Sequence, residues 1–135
     1  MPALVIDASA ALHITLAARP TRLDGYELIA PDLFLSERLA ALAALGYRMS
    51  APHADILESF DRLEGLAVRI VASDRDHRRA ALQLAMSLGW AKSYDAEYVV
   101  LAQRLGCPLL TTDERLSRGA GHLVAMLDPR TLEPA

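Results

Sequence analysis

The 135-residue chain has one cysteine, Cys107, so it can form no internal disulfide and build no zinc cluster on thiolates. Its four histidines, His13, His53, His77 and His122, are scattered without ligand-like spacing, which further disfavours zinc. Lysine is nearly absent too, with Lys92 alone among the 14 basic residues. Arginine suits phosphate contacts, but genomic base composition gives the same bias. No apolar run is long enough to cross a bilayer. The N-terminal Met-Pro-Ala-Leu-Val-Ile-Asp has no basic region before its apolar run, so no signal peptide is expected. These absences point to a cytoplasmic protein with no membrane partner. The formal net charge of −3 counts against non-specific binding of nucleic acid.

What remains is a globular composition, 53% hydrophobic, enough to bury a core without staples. The length fits one domain over 1–135, with 128–135 expected as a C-terminal tail. Ala3 to Ile6 reads as a buried strand because it lacks polar alternation. Ser9 is expected to cap a helix running to Leu16, with Pro20 beyond its end. Further helices are expected from Pro31 to Leu45 (stopped by Gly46), His53 to Leu63, Arg75 to Leu88 and Ser93 to Leu105. Further strands are expected at Val68 to Val71, Pro108 to Thr111 and Leu123 to Leu127. Strands alternating with helices imply parallel pairing through right-handed crossovers, hence a three-layer α/β domain.

Acids fall at telling places. Open parallel sheets bind ligands at the carboxyl ends of their strands, where Asp7 and Asp113 lie. If their strands are neighbours, the two share one edge. Asp95 sits in the first turn of a helix. Glu37 shares a helical stripe with Leu33, Ala40, Ala41 and Ala44, where a carboxylate is costly unless paired or bound to a cation. Each acid also has a plain structural reading. Asp7 and Asp113 suit turns or helix caps, Asp95 complements a helix dipole, and Ser36 to Arg38 could be a solvent face with a Glu37–Arg38 ion pair.

Several carboxylates at close range repel one another and cannot all stay ionised without cations. Hard divalent ions resolve this, and Mg²⁺ or Mn²⁺, one or two ions, fits an all-oxygen set. Such a site cleaves phosphodiesters by activating water and neutralising charge at phosphorus. Two bound ions would carry the chain past neutrality, which answers the charge objection.

Four segments carry a resemblance: Val5-Ile-Asp-Ala-Ser9, Pro31-Asp-Leu-Phe-Leu-Ser-Glu37, Ser93-Tyr-Asp-Ala-Glu-Tyr98, and Leu109-Leu-Thr-Thr-Asp113 followed by Leu116. In order and spacing they resemble the PIN-domain ribonucleases, in particular the VapC toxins of toxin–antitoxin pairs. The resemblance implies a three-layer α/β/α PIN-like domain with a central, mostly parallel sheet of four to five strands. It implies Asp7, Glu37, Asp95 and Asp113 as the catalytic and metal-binding acids. Ser9 and Thr111 match supporting positions, and they also suit a helix cap and a strand. It further implies a single-stranded or looped RNA substrate, a homodimer, and a VapB-like antitoxin covering the site, with no direct DNA binding by this chain.

Substrate contacts are less specified. Lys92, Arg115 and Arg118 flank the segments bearing Asp95 and Asp113 and could meet phosphates, while Trp90 and Tyr94 could stack bases. A nuclease acting on DNA or structured nucleic acid, and a PIN-like module that binds RNA without cutting it, are the competing readings. A phosphoacceptor receiver domain fits poorly: Asp7 has no adjacent acid, and Lys92 precedes a helix instead of following a strand.

Overall fold

The computed structural model describes residues 1–17 and 23–132. Pro20, expected beyond the first helix, lies outside them. Five strands form one sheet: β1 Ala3–Ile6, β2 Glu27–Pro31, β3 Arg69–Val71, β4 Leu109–Leu110 and β5 Met126–Leu127. All pair in parallel, in the order β3-β2-β1-β4-β5. Leu4, Val5 and Ile6 are fully buried, which is why this run lacks polar alternation. Each such side chain contributes about 1.5–3 kcal/mol on leaving water.

Six helices cover the sheet: α1 Ala8–Leu16, α2 Leu33–Met49, α3 His53–Glu64, α4 Arg75–Ser87, α5 Tyr94–Leu105 and α6 Glu114–Ala120. α1, α2 and α3 pack on one another, α4 packs on α5, and α5 packs on β1, β2 and β4. Right-handed crossovers place α1 to α3 on one face and the later helices on the other, because the chain reverses its direction across the sheet after β3. The architecture is therefore three-layered, as expected, and the sheet is wholly parallel.

Several local expectations are corrected. Pro31 does not start a helix but ends β2, a strand not expected from the sequence. Its ring satisfied the rule for a helix start, yet the run from Glu27 pairs with both β1 and β3. The cap of α1 is Asp7, whose carboxylate accepts from the Ala10 amide, and not Ser9. Gly46 does not stop α2, which continues to Met49 and closes on Ser50 in the left-handed conformation. A β-carbon at Gly46 would lie 2.9 Å from Ile56, so this glycine serves the close approach of α3. The last strand is only Met126–Leu127. The segment after it is not wholly a free tail, for Pro129–Thr131 forms a 3₁₀ turn with Pro129 buried.

Candidate active site

In a doubly wound sheet the ligand crevice opens where the strand order reverses. Here that point lies between β1 and its neighbour β4. Asp7 directly follows β1 and is buried. Its Oδ1 accepts from the Ser9 hydroxyl at 2.7 Å and the Ala10 amide at 2.9 Å, and its Oδ2 accepts from the Thr111 hydroxyl. Thr111 Oγ1 in turn accepts from the Asp113 amide at 3.0 Å, and Ser9 Oγ accepts from the Thr112 amide at 3.1 Å. The two hydroxyls thus stitch the end of β1 to the end of β4 and fix the Asp7 carboxylate in place. Asp113 caps α6 through Oδ1, which accepts from the amides of Arg115 and Leu116.

Asp95 comes from the first turn of α5 and makes no side-chain hydrogen bond among the described residues. Glu37 arrives from the opposite layer, on α2. Its Oε1 accepts from the Tyr98 hydroxyl at 2.5 Å, within the range of a charge-assisted bond. The ion pair of Glu37 with Arg38 is not formed. Arg38 is buried, lies over the Phe34 ring at 5.2 Å, and pairs with Glu64 at 2.8 Å.

The electrostatics are those of crowded acid. Burial pushes the Asp7 carboxyl above its usual range, against its three hydrogen bonds, and the charge of Asp95 adds to the push. Burial also raises Glu37; the Tyr98 bond opposes it, while Asp95, Asp7 and Glu97 reinforce it. Asp95 is raised by burial and then by Asp113, with Arg115 opposing. Among the described residues none of the four acids has a salt-bridge partner. Nor are three His, Cys, Asp or Glu side chains arranged there as a ready coordination sphere. The donor set nonetheless fits Mg²⁺ or Mn²⁺: it is all oxygen, has no ion-pair partner among the described residues, and three of its acids line a cavity. Mg²⁺ keeps several waters and takes only one or two carboxylates.

Glu37, Asp95 and Asp113 line a cavity of about 450 Å³, together with Trp90, Lys92, Tyr94 and Arg115. Asp7 is buried and is not among the lining residues. Arg118 is exposed on the last turn of α6 and is not among the lining residues. Sequence reasoning missed Tyr98, which is 1% exposed. Burial, then the bond and charge of Glu37, push its hydroxyl far above the usual phenol range, so it stays a donor. Its signal was present: Tyr98 follows Asp95 by three positions, on one helix face.

The PIN domain family model matches residues 4–121. No curated protein sequence matches the chain. Among solved structures, PAE2754 from Pyrobaculum aerophilum superposes with a TM-score of 0.71 at 19% identity, covering 96% of this chain and 92% of that one. VapBC-5, of the VapBC family of toxin–antitoxin systems from Mycobacterium tuberculosis, gives 0.59 at 19% identity over 95% and 98%. FitAcB from Neisseria gonorrhoeae gives 0.58 at 18% identity over 96% and 99%. These likenesses are likenesses of fold, and they agree with the parallel sheet and flanking helices described above. Matched by the family model over most of its length, the chain belongs to the PIN domain family.

Proposed function

We propose that this chain is a Mg²⁺- or Mn²⁺-dependent endoribonuclease and the toxin of a toxin–antitoxin pair. The observation that carries the reading is the convergence of Asp7, Glu37, Asp95 and Asp113 at the sheet's switch point. There burial and mutual charge disfavour ionisation of three of them. Asp7, Asp95, Asp113 and Glu37 would hold the metal. Bound there, it would lower the pKa of water and neutralise charge on the scissile phosphate. The chain's own residues position these acids. Ser9 and Thr111 orient Asp7, the two α6 amides orient Asp113, and Tyr98 orients Glu37. Catalytic geometry of this kind depends on support by neighbouring hydrogen bonds.

The toxin assignment draws support from structural relatives that belong to toxin–antitoxin systems. A VapB-like antitoxin is the partner this reading requires. A homodimer, a cytoplasmic setting and no direct DNA contact belong to the same reading. No helix among the described residues is long and apolar enough to cross a membrane.

The test is cleavage of labelled single-stranded RNA by purified protein. Cleavage should require Mg²⁺ or Mn²⁺, stop in EDTA and return with Mn²⁺. Chelator-resistant cleavage would refute the metal site. Binding without cleavage would make the chain an RNA-holding module, and DNA cut as fast as RNA would overturn the substrate.

A further inference from the structure

The cavity that holds three of the acids also has lining groups of different chemistry. Besides the carboxylates it is lined by Trp90, Tyr94, Lys92 and Arg115. Trp90 is the chain's only tryptophan. Its place is fixed from two sides. Its amide donates to the Ala85 carbonyl at 2.8 Å, just after Gly89 turns the chain with φ of +70°. Its indole packs on α6, where a β-carbon at Gly119 would lie 3.3 Å from the ring. Tyr94 opens α5 beside Asp95 and leaves 51% of its surface exposed. Its hydroxyl has no hydrogen-bond partner among the described residues. Lys92 and Arg115 are exposed, and neither forms an ion pair there. A fixed indole, an exposed phenol ring and two unpaired cations thus surround one opening next to crowded acid.

These groups complement a nucleotide. Aromatic rings take the face of any base, and unpaired cations take its phosphates. The cavity volume falls within the range of small-molecule sites. We propose that it seats one unpaired nucleobase of RNA against Trp90 and Tyr94, with Lys92 and Arg115 meeting the flanking phosphates. The seat rests on the ribonuclease reading and gives a physical basis to the single-strand preference that the resemblance implies. A base already stacked and paired in a duplex presents no free face, so single strands are accepted and duplexes refused. Stacking favours every base, so the seat selects strandedness and not sequence.

Because Trp90 is the sole tryptophan, its emission reports the seat directly. The experiment titrates full-length protein, with Ca²⁺ replacing Mg²⁺ to slow cleavage, using single-stranded tetra-adenylate. A base-free ribose-phosphate tetramer serves as the control, and fluorescence anisotropy of labelled oligomers records binding separately. Tetra-adenylate is expected to quench Trp90 and the base-free tetramer is not. Tyr94→Ala should raise the Kd for tetra-adenylate about tenfold, the weight of one base–aromatic stack, and Tyr94→Phe should restore it. In Mg²⁺ the same variant should raise KM more than it lowers kcat. Binding without quenching, no binding, or equal cleavage of duplex and single strand would overturn the seat. RNA cleavage without quenching would leave the nuclease standing and remove the seat. Quenching without any cleavage would do the reverse.

Discussion

Removal of one oxygen atom, by Tyr98→Phe, tests whether Glu37 is held in position by design of the fold. The Tyr98 ring is packed into the core at 1% exposure, and its hydroxyl donates to Glu37 Oε1 at 2.5 Å. Phenylalanine fills the same space, so the substitution deletes the bond and little else. Hydrogen bonds to charged groups contribute about 1.5–3 kcal/mol. Glu37 is only half-buried, so water can replace part of the bond, and the lower end applies, about 1.5 kcal/mol. In a domain of this size that lowers Tm by about 3–6 °C. Misplacement of the carboxylate should lower kcat/KM by about tenfold. The direction of the pH effect follows from the same bond. Tyr98 pulls the Glu37 carboxyl down against burial. Without it the carboxyl rises further, and the acidic limb of the pH–rate profile moves to higher pH. Thermal melts and pH–rate profiles of the purified variant check both effects. Unchanged Tm together with an unmoved acidic limb would refute the argument.

Asp95→Asn should abolish cleavage yet raise the Tm of the metal-free protein, because Asp95 is raised by burial and by Asp113 and makes no compensating hydrogen bond among the described residues. An acid whose folded pKa lies above its unfolded value loses stability as pH rises from the unfolded value through the folded one. The Tm advantage of the variant in EDTA should therefore be full at neutral pH and vanish as pH falls below the unfolded value of about 3.9, where both states become protonated. An advantage that grows on acidification would contradict the assignment. Asp113→Asn keeps the cap oxygen that serves two α6 amides, so its Tm should move little while cleavage is lost, whereas Asp113→Ala should also lose about 1 kcal/mol of cap. Arg38→Met should cost less than about 1 kcal/mol, since its partner Glu64 is 48% exposed and gains little from the pair. Arg38→Ala should cost about 2–3 kcal/mol by emptying the space over Phe34. Equal costs in the two melts would mean that the charge, not the packing, matters.

The inner strands β1 and β4 were legible because they are buried on both faces and therefore read as unbroken apolar runs, whereas β3 and β5 at the sheet edges are only partly buried. β1 is the clear case. β2 was hidden by Pro31, which satisfies the rule for a helix start while ending a strand. Gly46 misled for a related reason. Glycine after an apolar helix reads as a stop, but here the missing side chain makes room for Ile56 of α3, a contact that no local pattern encodes. The adjacency of Asp7 and Asp113 was conditional on which strands are neighbours. Only the pairing of β1 with β4 supplies that. Tyr98 escaped because an isolated tyrosine on an apolar helix reads as core. It is core, and its hydroxyl alone reaches the site.

Structural and functional readings of these acids do not exclude each other. Asp7 and Asp113 both cap helices, as their positions after strands allowed, and both stand at the sheet edge where ligands bind. The oxygen count explains how. Asp113 satisfies the α6 amides with Oδ1 alone, leaving Oδ2 without a partner among the described residues. Asp7 uses one oxygen for its helix and gives the other to Thr111 on the neighbouring strand. A carboxylate has about four lone-pair positions, and capping occupies only some of them. The helix start therefore fixes the direction of the carboxylate while leaving acceptor capacity toward the crevice. Asp95 and Glu37 lack such caps, and they carry the less constrained half of the site, with Glu37 depending on Tyr98 from the other helical layer. Under the proposed function, this arrangement would let oxygen ligands close on a cation without disturbing the strands that bring them together.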